Sequence, residues 1–231
     1  MKKSSFIFKI IIYLIILLTF TSSVTAMEFN YISFYTPGRE FIIETTYSKD
    51  SYELSRIEDN KSVVYGVKEL NTGEEVEWWV FDKDIVSSTH SNISPTSQAV
   101  YRHTNIKSVG VLSGKLHHEV VLERSSGTYY SQFLYLHYDT HWINGFSYFS
   151  PIIFNRAIVP DPNSPSGNNW PTFGVRVSYT CVVQAAIPIS LDASFRLTLL
   201  ENGFTLGGTV SGVVYYTKSV PNTYIIKAMN Y

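Results

Sequence analysis

Along most of the chain, hydrophobic and polar residues alternate with a period of two. The longest regular run covers residues 187–199, in which every second residue is apolar (Ile187, Ile189, Leu191, Ala193, Phe195, Leu197 and Leu199). Because successive side chains of a strand point to opposite faces, this run predicts a strand with one buried and one solvent-facing side. Asn202 and Gly203 then favour a tight turn, which predicts a hairpin with a return strand over residues 204–216.

The same alternation predicts strands elsewhere in the chain. Residues 173–184 carry apolar side chains at the odd positions, and a last strand is expected at residues 224–229 after the turn-forming pair Pro221-Asn222. The first half contains three hairpin patterns, each with turn-forming residues between two alternating runs. These pairs of runs are 29–35 with 41–47, 63–70 with 75–81, and 116–124 with 129–142.

Helical periodicity is weak by comparison, and residues 50–59 have room for one helical turn at most. Repeated short strands separated by turn residues are typical of antiparallel sandwiches and barrels. The sequence therefore predicts an all-β protein, a mostly antiparallel β-sandwich or a barrel-like fold. Segments 86–98 and 160–170 are rich in turn formers and are predicted to be long loops. About four strands follow the second loop, too few for independent stability, so residues 27–231 are expected to form a single domain.

The N-terminal segment has the pattern of a secretory signal peptide. Lys2, Lys3 and Lys9 flank an apolar run over residues 10–20, which small and polar residues follow up to Ala26. Eleven residues are well short of the roughly 20 that a membrane-spanning helix needs. We therefore expect residues 1–26 to be removed and the mature chain to be secreted, either outside the cell or into the periplasm of a Gram-negative bacterium. No stable transmembrane segment is expected in the mature chain.

Removing this segment changes the charge of the protein. The whole chain has a formal net charge of −1, but the segment contains three lysines and no acidic residue, which leaves 15 basic and 19 acidic side chains. A chain with this balance lacks the clustered basic surface that phosphate binding requires, so nucleic acid is excluded as an expected partner. A hydrophobic content of 45% also excludes a disordered chain. With Cys181 as the only cysteine, no intramolecular disulfide can form, and we expect this thiol in the core.

One segment suggests a metal site. Alternation places His137, Asp139 and His141 on one face of a predicted strand, and two imidazoles with a carboxylate can ligate a divalent ion. Alternate residues lie about 6.6 Å apart and the outer pair about 13 Å apart, whereas a metal holds its ligands near 2.1 Å. A regular strand therefore allows neighbouring pairs to chelate but not all three together. The competing interpretation is a polar strand end with hydrogen-bonded side chains.

Other catalytic signals are weak. The nucleophile elbow, the zinc-protease helix motif, paired cysteines and the phosphate-binding loop are all missing. His117 and His118 are neighbours, so they should point to opposite faces of a strand and be solvated. Glu75 with Glu77, or Asp82 with Asp84, are candidates for a glycosidase pair, which requires about 5 to 9.5 Å between the carboxyl groups, but ordinary surface acids have the same pattern. An enzyme is therefore not favoured, a secreted hydrolase with metal assistance remains an alternative, and no cofactor is expected.

Aromatic residues give the strongest indication of function. Trp78 with Trp79, and Tyr129 with Tyr130, are adjacent pairs that should send one ring to each face of a strand, while Trp142 and Trp170 border predicted loops. Rings left on the surface are typical of recognition sites. The competing interpretation is that these rings fill gaps beneath loops. We expect a secreted binding protein, adhesin-like, lectin-like or a virulence factor that contacts the host, with a carbohydrate or a protein surface as its ligand.

A third interpretation is a membrane-active toxin. Pore-forming β-proteins insert amphipathic hairpins, and residues 204–216 have apolar side chains opposite small polar ones over more than the 9 to 11 residues that a spanning strand requires. Every half-buried strand of a soluble sandwich has the same pattern. The sequence therefore leaves pore formation as an alternative to the binding function.

Overall fold

The structure is a computed structural model that describes residues 30–83, 98–126 and 131–229. The expected signal peptide at residues 1–26, residues 86–97 of the first predicted loop, and the pair Tyr129 and Tyr130 lie outside the described residues. Of the second predicted loop, residues 161–170 run as turns and bends after a strand that ends at Pro160.

Two six-stranded antiparallel sheets make up most of the fold, which confirms the predicted all-β sandwich. Sheet 1 has the strand order β1-β2-β12-β10-β9, with β11 also paired to β12, and sheet 2 is a meander in the order β3-β4-β5-β6-β7-β8. The elements are β1 (Tyr31–Tyr35), β2 (Phe41–Ser48), β3 (Tyr52–Glu58), β4 (Ser62–Glu69), β5 (Glu75–Asp82), β6 (Gln98–Ser108), β7 (Lys115–Ser126), β8 (Ser131–Asn144), β9 (Phe149–Pro160), β10 (Gly174–Pro188), α1 (Ala193–Glu201), β11 (Thr205–Val210) and β12 (Val213–Ala228).

The core lies between the inner faces of the two sheets. Along β10, every odd residue from Val175 to Ile187 is buried, as the alternation predicts. Trp79 and Leu122 of sheet 2 are fully buried opposite this face. Burial of each large apolar side chain contributes roughly 1.5–3 kcal/mol, so this packing stabilises the fold without a disulfide. Cys181 is 0% exposed, which confirms the prediction of a core thiol.

A polar belt crosses this core. It consists of Glu77, His103, Asn105, His118 and Asp139 from sheet 2, and of Tyr179, Asn222 and Tyr224 from sheet 1. The Tyr179 hydroxyl donates to Asn105 Oδ1 at 2.7 Å, and His103 Nε2 lies 2.7 Å from the Tyr224 hydroxyl. Buried polar groups are costly unless they are hydrogen-bonded. These contacts between the sheets therefore supply partners for polar groups that would otherwise be surrounded by apolar side chains.

The predicted strand over residues 187–199 is wrong beyond its first two residues. The chain instead enters α1, where the side chain of Asp192 accepts a hydrogen bond from the backbone N–H of Ser194 at 2.9 Å and so caps the helix. Leu199 is fully buried, whereas Leu197 is 59% exposed, although strict alternation would bury both. The alternating apolar residues therefore belong to a short helix without a distinct apolar face, and their period of two does not indicate a strand here.

Three other sequence expectations also change. Residues 204–216 are not one strand, because a turn at Ser211 and Gly212 with positive φ divides them between β11 and β12. No turn occurs at Pro221, and β12 continues through it. On one side, β12 pairs with β11 up to Thr217 and with β2 from Tyr224 onward. Pro221 lies between these two stretches, where no strand pairs on that side, so the missing backbone N–H of proline is tolerated. Residues 50–59 contain strand β3 rather than a helical turn.

The three predicted hairpins of the first half are present as the antiparallel pairs β1-β2, β4-β5 and β7-β8. In the part of the chain that the structure describes, no helix has the length and apolar character needed to cross a membrane.

Candidate functional site

A row of side chains crosses the outer face of sheet 2. Cross-strand pairing places Trp78 beside Ile106, Ile106 beside His117, and His117 beside Trp142. We call these four residues the tryptophan row. Three strand spacings of about 4.8 Å separate its ends, so the backbones of Trp78 and Trp142 lie about 14 Å apart. The structure thus brings two of the predicted binding residues to one face.

A β-bulge gives this face its carboxylate. Val67 of β4 pairs with Glu77 of β5, and the next residue, Lys68, pairs with Glu75. Val76 is therefore an extra residue on β5. The bulge interrupts the alternation. Glu77 therefore points inward and is 0% exposed, whereas Glu75 lies on the outer face with Trp78. The two carboxylates do not form the glycosidase pair that the sequence suggested.

Glu75 is held by two hydrogen bonds. Ser55 Oγ donates to Glu75 Oε1 at 3.1 Å, and Trp78 Nε1 donates to Glu75 Oε2 at 2.7 Å. Gly66 leaves the space for this cluster, because a Cβ at this position would lie 2.5 Å from Ser55 Oγ and 3.0 Å from Glu75 Oε1. The carboxylate and the indole are therefore fixed relative to each other before any ligand binds.

An open cavity of about 640 Å³ adjoins this cluster. It is lined by Glu53, Ser55, Lys68, Gly73, Glu74, Glu75 and Trp78. Hydroxyl, ammonium and three carboxylate groups thus surround one indole ring. Such a lining can donate and accept many hydrogen bonds to a hydroxylated ligand, and the ring offers it an apolar surface.

Both tryptophan rings of the row are held in place. Lys115 Nζ lies 4.1 Å from the centre of the Trp78 ring, within the range of a cation–π contact. The Trp142 ring stacks on the imidazole of His117 at 4.9 Å with an interplanar angle of 15°, yet the residue remains 36% exposed. Partial burial, and then the charge of Lys115, lower the pKa of His117, which favours the neutral imidazole in this stack.

The other predicted binding residues lie elsewhere. Trp79 is 0% exposed and packs edge-on against Phe34 and Tyr224, so its ring is part of the core and offers no surface to a ligand. Trp170 is half-buried and packs against the core from the loop before β10. As neither residue lies on the outer face of sheet 2, the candidate site contains only Trp78 and Trp142 of the described residues nominated from the sequence.

The three predicted metal ligands do not converge. Val121 pairs with Tyr138 and the next residue, Leu122, pairs with Leu136, so His137 is a bulge residue on β8 and is exposed. The Asp139 carboxylate instead turns inward. Among the described residues, no group of three histidine, cysteine, aspartate or glutamate side chains is placed to hold a metal ion. The bulge explains this result, because it breaks the alternation on which the predicted site depended.

Asp139 and His141 have other partners. Asp139 Oδ2 lies 2.5 Å from Arg156 Nε and 3.2 Å from His118 Nε2, and the His141 ring stacks on Phe154 at 3.9 Å. The prediction that His117 and His118 point to opposite faces is confirmed, but His118 is buried rather than solvated. Burial lowers its pKa to about 4, although the contact with Asp139 acts in the opposite direction.

Sequence reasoning missed Ser55, Gly66, Ile106 and Lys115 as parts of the site. The only available signal was Glu75 three residues before Trp78, a spacing that places both on one face only if the strand contains a bulge. Comparison with protein-family models, with curated proteins and with solved structures finds no match for this chain.

Proposed function

We propose that this protein is an exported, lectin-like carbohydrate-binding protein that binds its ligand on the outer face of sheet 2. One observation carries the proposal: the cluster of Glu75, Ser55 and Trp78 is held rigidly on the same face as the exposed ring of Trp142. Carbohydrates present hydroxyl pairs and apolar ring faces together. A fixed carboxylate can accept from the hydroxyls, while an indole packs against the ring face.

The length of the tryptophan row supports an extended ligand. Its ends are about 14 Å apart, which exceeds the width of one sugar ring. Ile106 and His117 lie between the two tryptophans in the row. An oligosaccharide that lies across strands β5 to β8 can contact both tryptophans at once, whereas a monosaccharide can contact only one.

The experiment is a glycan array followed by calorimetric titration of the best ligand. Trp142→Ala and Glu75→Gln should each weaken binding about tenfold, equivalent to about 1.4 kcal/mol. Tyr35→Ala is the matched control, because Tyr35 is also an exposed aromatic residue, 48% accessible, but lies on β1 of sheet 1. Unchanged affinity in both site variants, or an array without any bound glycan, would contradict the proposal.

A second candidate function, contact with a lipid surface, is favoured by a separate observation. Large apolar side chains are exposed along α1 and β11, with Leu197 at 59%, Leu206 at 64% and Val210 at 62%. Exposed apolar residues concentrated in neighbouring elements are typical of membrane or protein contact. Sedimentation with vesicles tests this candidate, and the variant Leu206→Ser with Val210→Ser should reduce the bound fraction. Absence of the native protein from the vesicle pellet would rule it out.

A further inference from the structure

A second polar groove is lined mainly by residues of sheet 1, together with Lys107 from β6 of sheet 2. It has a volume of about 650 Å³. It adjoins the stretch of β12 between the residues that pair with β11 and those that pair with β2, where no other described strand continues that side of the sheet. We call it the cationic groove, and it is lined by Thr46, Lys107, Asn155, Arg156, Ala157, Ser178, Tyr179, Thr180, Pro221, Asn222 and Thr223.

The groove contains two cations and no carboxylate among its lining residues. The carboxylates that balance these cations lie in the interior. Lys107 Nζ is 3.5 Å from Glu77 Oε2, and Arg156 Nε is 2.5 Å from Asp139 Oδ2. The side chains of Glu77 and Asp139 are only 0% and 4% exposed. Each ion pair is therefore a dipole whose positive end faces the groove.

Lys107 is held in position by its neighbours. Lys107 Nζ donates to Asn222 Oδ1 at 3.1 Å and lies 5.4 Å from the centre of the Tyr47 ring. Glu77 behind it accepts from Asn105 at 2.6 Å and from the Tyr47 hydroxyl at 2.7 Å, which fixes the carboxylate. A ligand therefore meets a cation that has already lost its conformational freedom.

Arg156 keeps capacity for another partner. Asp139 engages the Nε atom, whereas the guanidinium has five N–H donors and the side chain is still 47% exposed. A guanidinium fork binds carboxylate and sulfate groups with two parallel hydrogen bonds. The Arg156 side chain is thus suited to an oxyanion that approaches from the solvent.

We propose that the cationic groove binds an oxyanion group, carboxylate or sulfate, carried by a hydroxylated ligand such as an acidic sugar. The volume lies within the 300–1,000 Å³ typical of small-molecule sites, which is far more than a free sulfate fills. The Ser178, Thr180 and Thr223 side chains supply hydroxyls for the rest of the ligand. This site is lined mainly by sheet 1, with Lys107 contributed by β6 of sheet 2, and it does not depend on the carbohydrate-binding proposal.

The test is calorimetric titration of the purified protein at low salt with three probes: glucuronate, glucose and inorganic sulfate. Glucuronate should bind more tightly than glucose, because only glucuronate carries the carboxylate, and raising the salt to 1 M should weaken glucuronate binding because the attraction is electrostatic. If sulfate alone binds as tightly as glucuronate, the groove is still an oxyanion site, and its ligand is then the free ion. Absence of binding by both anions, or equal binding of glucose and glucuronate, would overturn the proposal.

Two variants assign the binding to the groove. Asp139→Asn combined with Arg156→Gln removes the ion pair without leaving a buried unpaired charge, and should weaken glucuronate binding about tenfold. Arg156→Lys keeps the charge and loses the fork, so it should give an intermediate loss if the protein melts as the native one does. Arg39→Gln is the matched control, because Arg39 is an exposed arginine outside the groove, and it should bind glucuronate normally. Native glucuronate affinity in the double variant would place the anion outside the groove and overturn the proposal.

Discussion

At the scale of single residues, the absence of one side chain determines the geometry of the candidate carbohydrate site. Gly66 has no Cβ, and the Ser55 hydroxyl and the Glu75 carboxylate occupy the space above its backbone. From sequence, a glycine within a strand indicates only weak packing or a close approach of another group. The approaching groups come from β3 and β5, so their identity depends on strand pairing that the sequence does not reveal.

Gly66→Ala should therefore displace Ser55 or Glu75, because the new methyl group would lie 2.5 Å from Ser55 Oγ. We expect about tenfold weaker binding of the glycan that the native protein binds, and a change in tryptophan fluorescence as Trp78 loses its acceptor. Gly207→Ala is the control, since its Cβ would meet no atom closer than 3.4 Å. Native affinity and native fluorescence in Gly66→Ala would show that the space above Gly66 is not needed.

Two buried histidines make stability depend on pH. Burial lowers the pKa of His118 to about 4 and that of His103 to about 3, whereas an unfolded histidine titrates near 6.5. As the pH falls through 6.5, the unfolded chain takes up protons that the folded protein does not. The stability that these residues contribute is therefore complete above about pH 6.5 and is lost as the pH falls toward 4.

Denaturant unfolding at pH 7.5 and pH 5 measures this effect. The free energy of unfolding should decrease by about 2 kcal/mol per histidine, or about 4 kcal/mol for the two. His118→Gln should remove about half of the decrease, whatever its own effect on stability at pH 7.5. Equal stability of the native protein at the two pH values would contradict the assignment of neutral, buried imidazoles.

At the scale of elements, the pattern predicted strands well where alternation was unbroken and failed where one residue was inserted. The hairpins β1-β2 and β4-β5 were predictable from paired runs around turn residues. The bulges at Val76 and His137 could not be predicted. An extra residue moves the following side chains to the other face of the strand but leaves no mark in the amino-acid composition of the segment. One bulge creates the candidate carbohydrate site and the other removes the candidate metal site.

Helix α1 was missed for a different reason, since its apolar residues alternate with a period of two and form no distinct helical stripe. Its start depends on Asp192, which accepts from the Ser194 N–H at 2.9 Å. Asp192→Ala should lower the melting temperature and increase amide hydrogen exchange in residues 193–201, whereas Asp192→Ser should keep the cap and nearly native exchange. Exchange in the alanine variant that matches the native protein would show that packing of Leu199 alone holds this helix.

At the scale of the whole molecule, the all-β class follows from the dominant period of two. The combination of Trp78 with Trp142 does not, because it requires the strand order β5-β6-β7-β8 and the correct register across three pairs. The same holds for Lys107 and Arg156, which come from different sheets and meet at one groove. Local patterns predict faces of strands, whereas sites arise from pairing between distant segments.

Cys181 provides a probe of the whole fold, because it is buried in the middle of β10 and burial raises the pKa of its thiol to about 11. A thiol reagent at pH 7.5 should react with the native protein only as fast as the molecule opens globally, and should react at once in denaturant. Rapid modification under native conditions would show that this part of the sandwich opens without unfolding. Cys181→Ser is the control for reaction at any other group.

The polar belt has one more consequence, for how the two sheets find their alignment during folding. Two purely apolar sheet faces can shift relative to one another by a residue or more with little change in contact energy, because dispersion forces have no direction. The hydrogen bond from Tyr179 to Asn105 and the one between His103 and Tyr224 have strict geometry, so a shift between the sheets would leave several donors without acceptors. We therefore expect the polar belt to favour a single alignment of the two sheets, at some cost in stability compared with an apolar core.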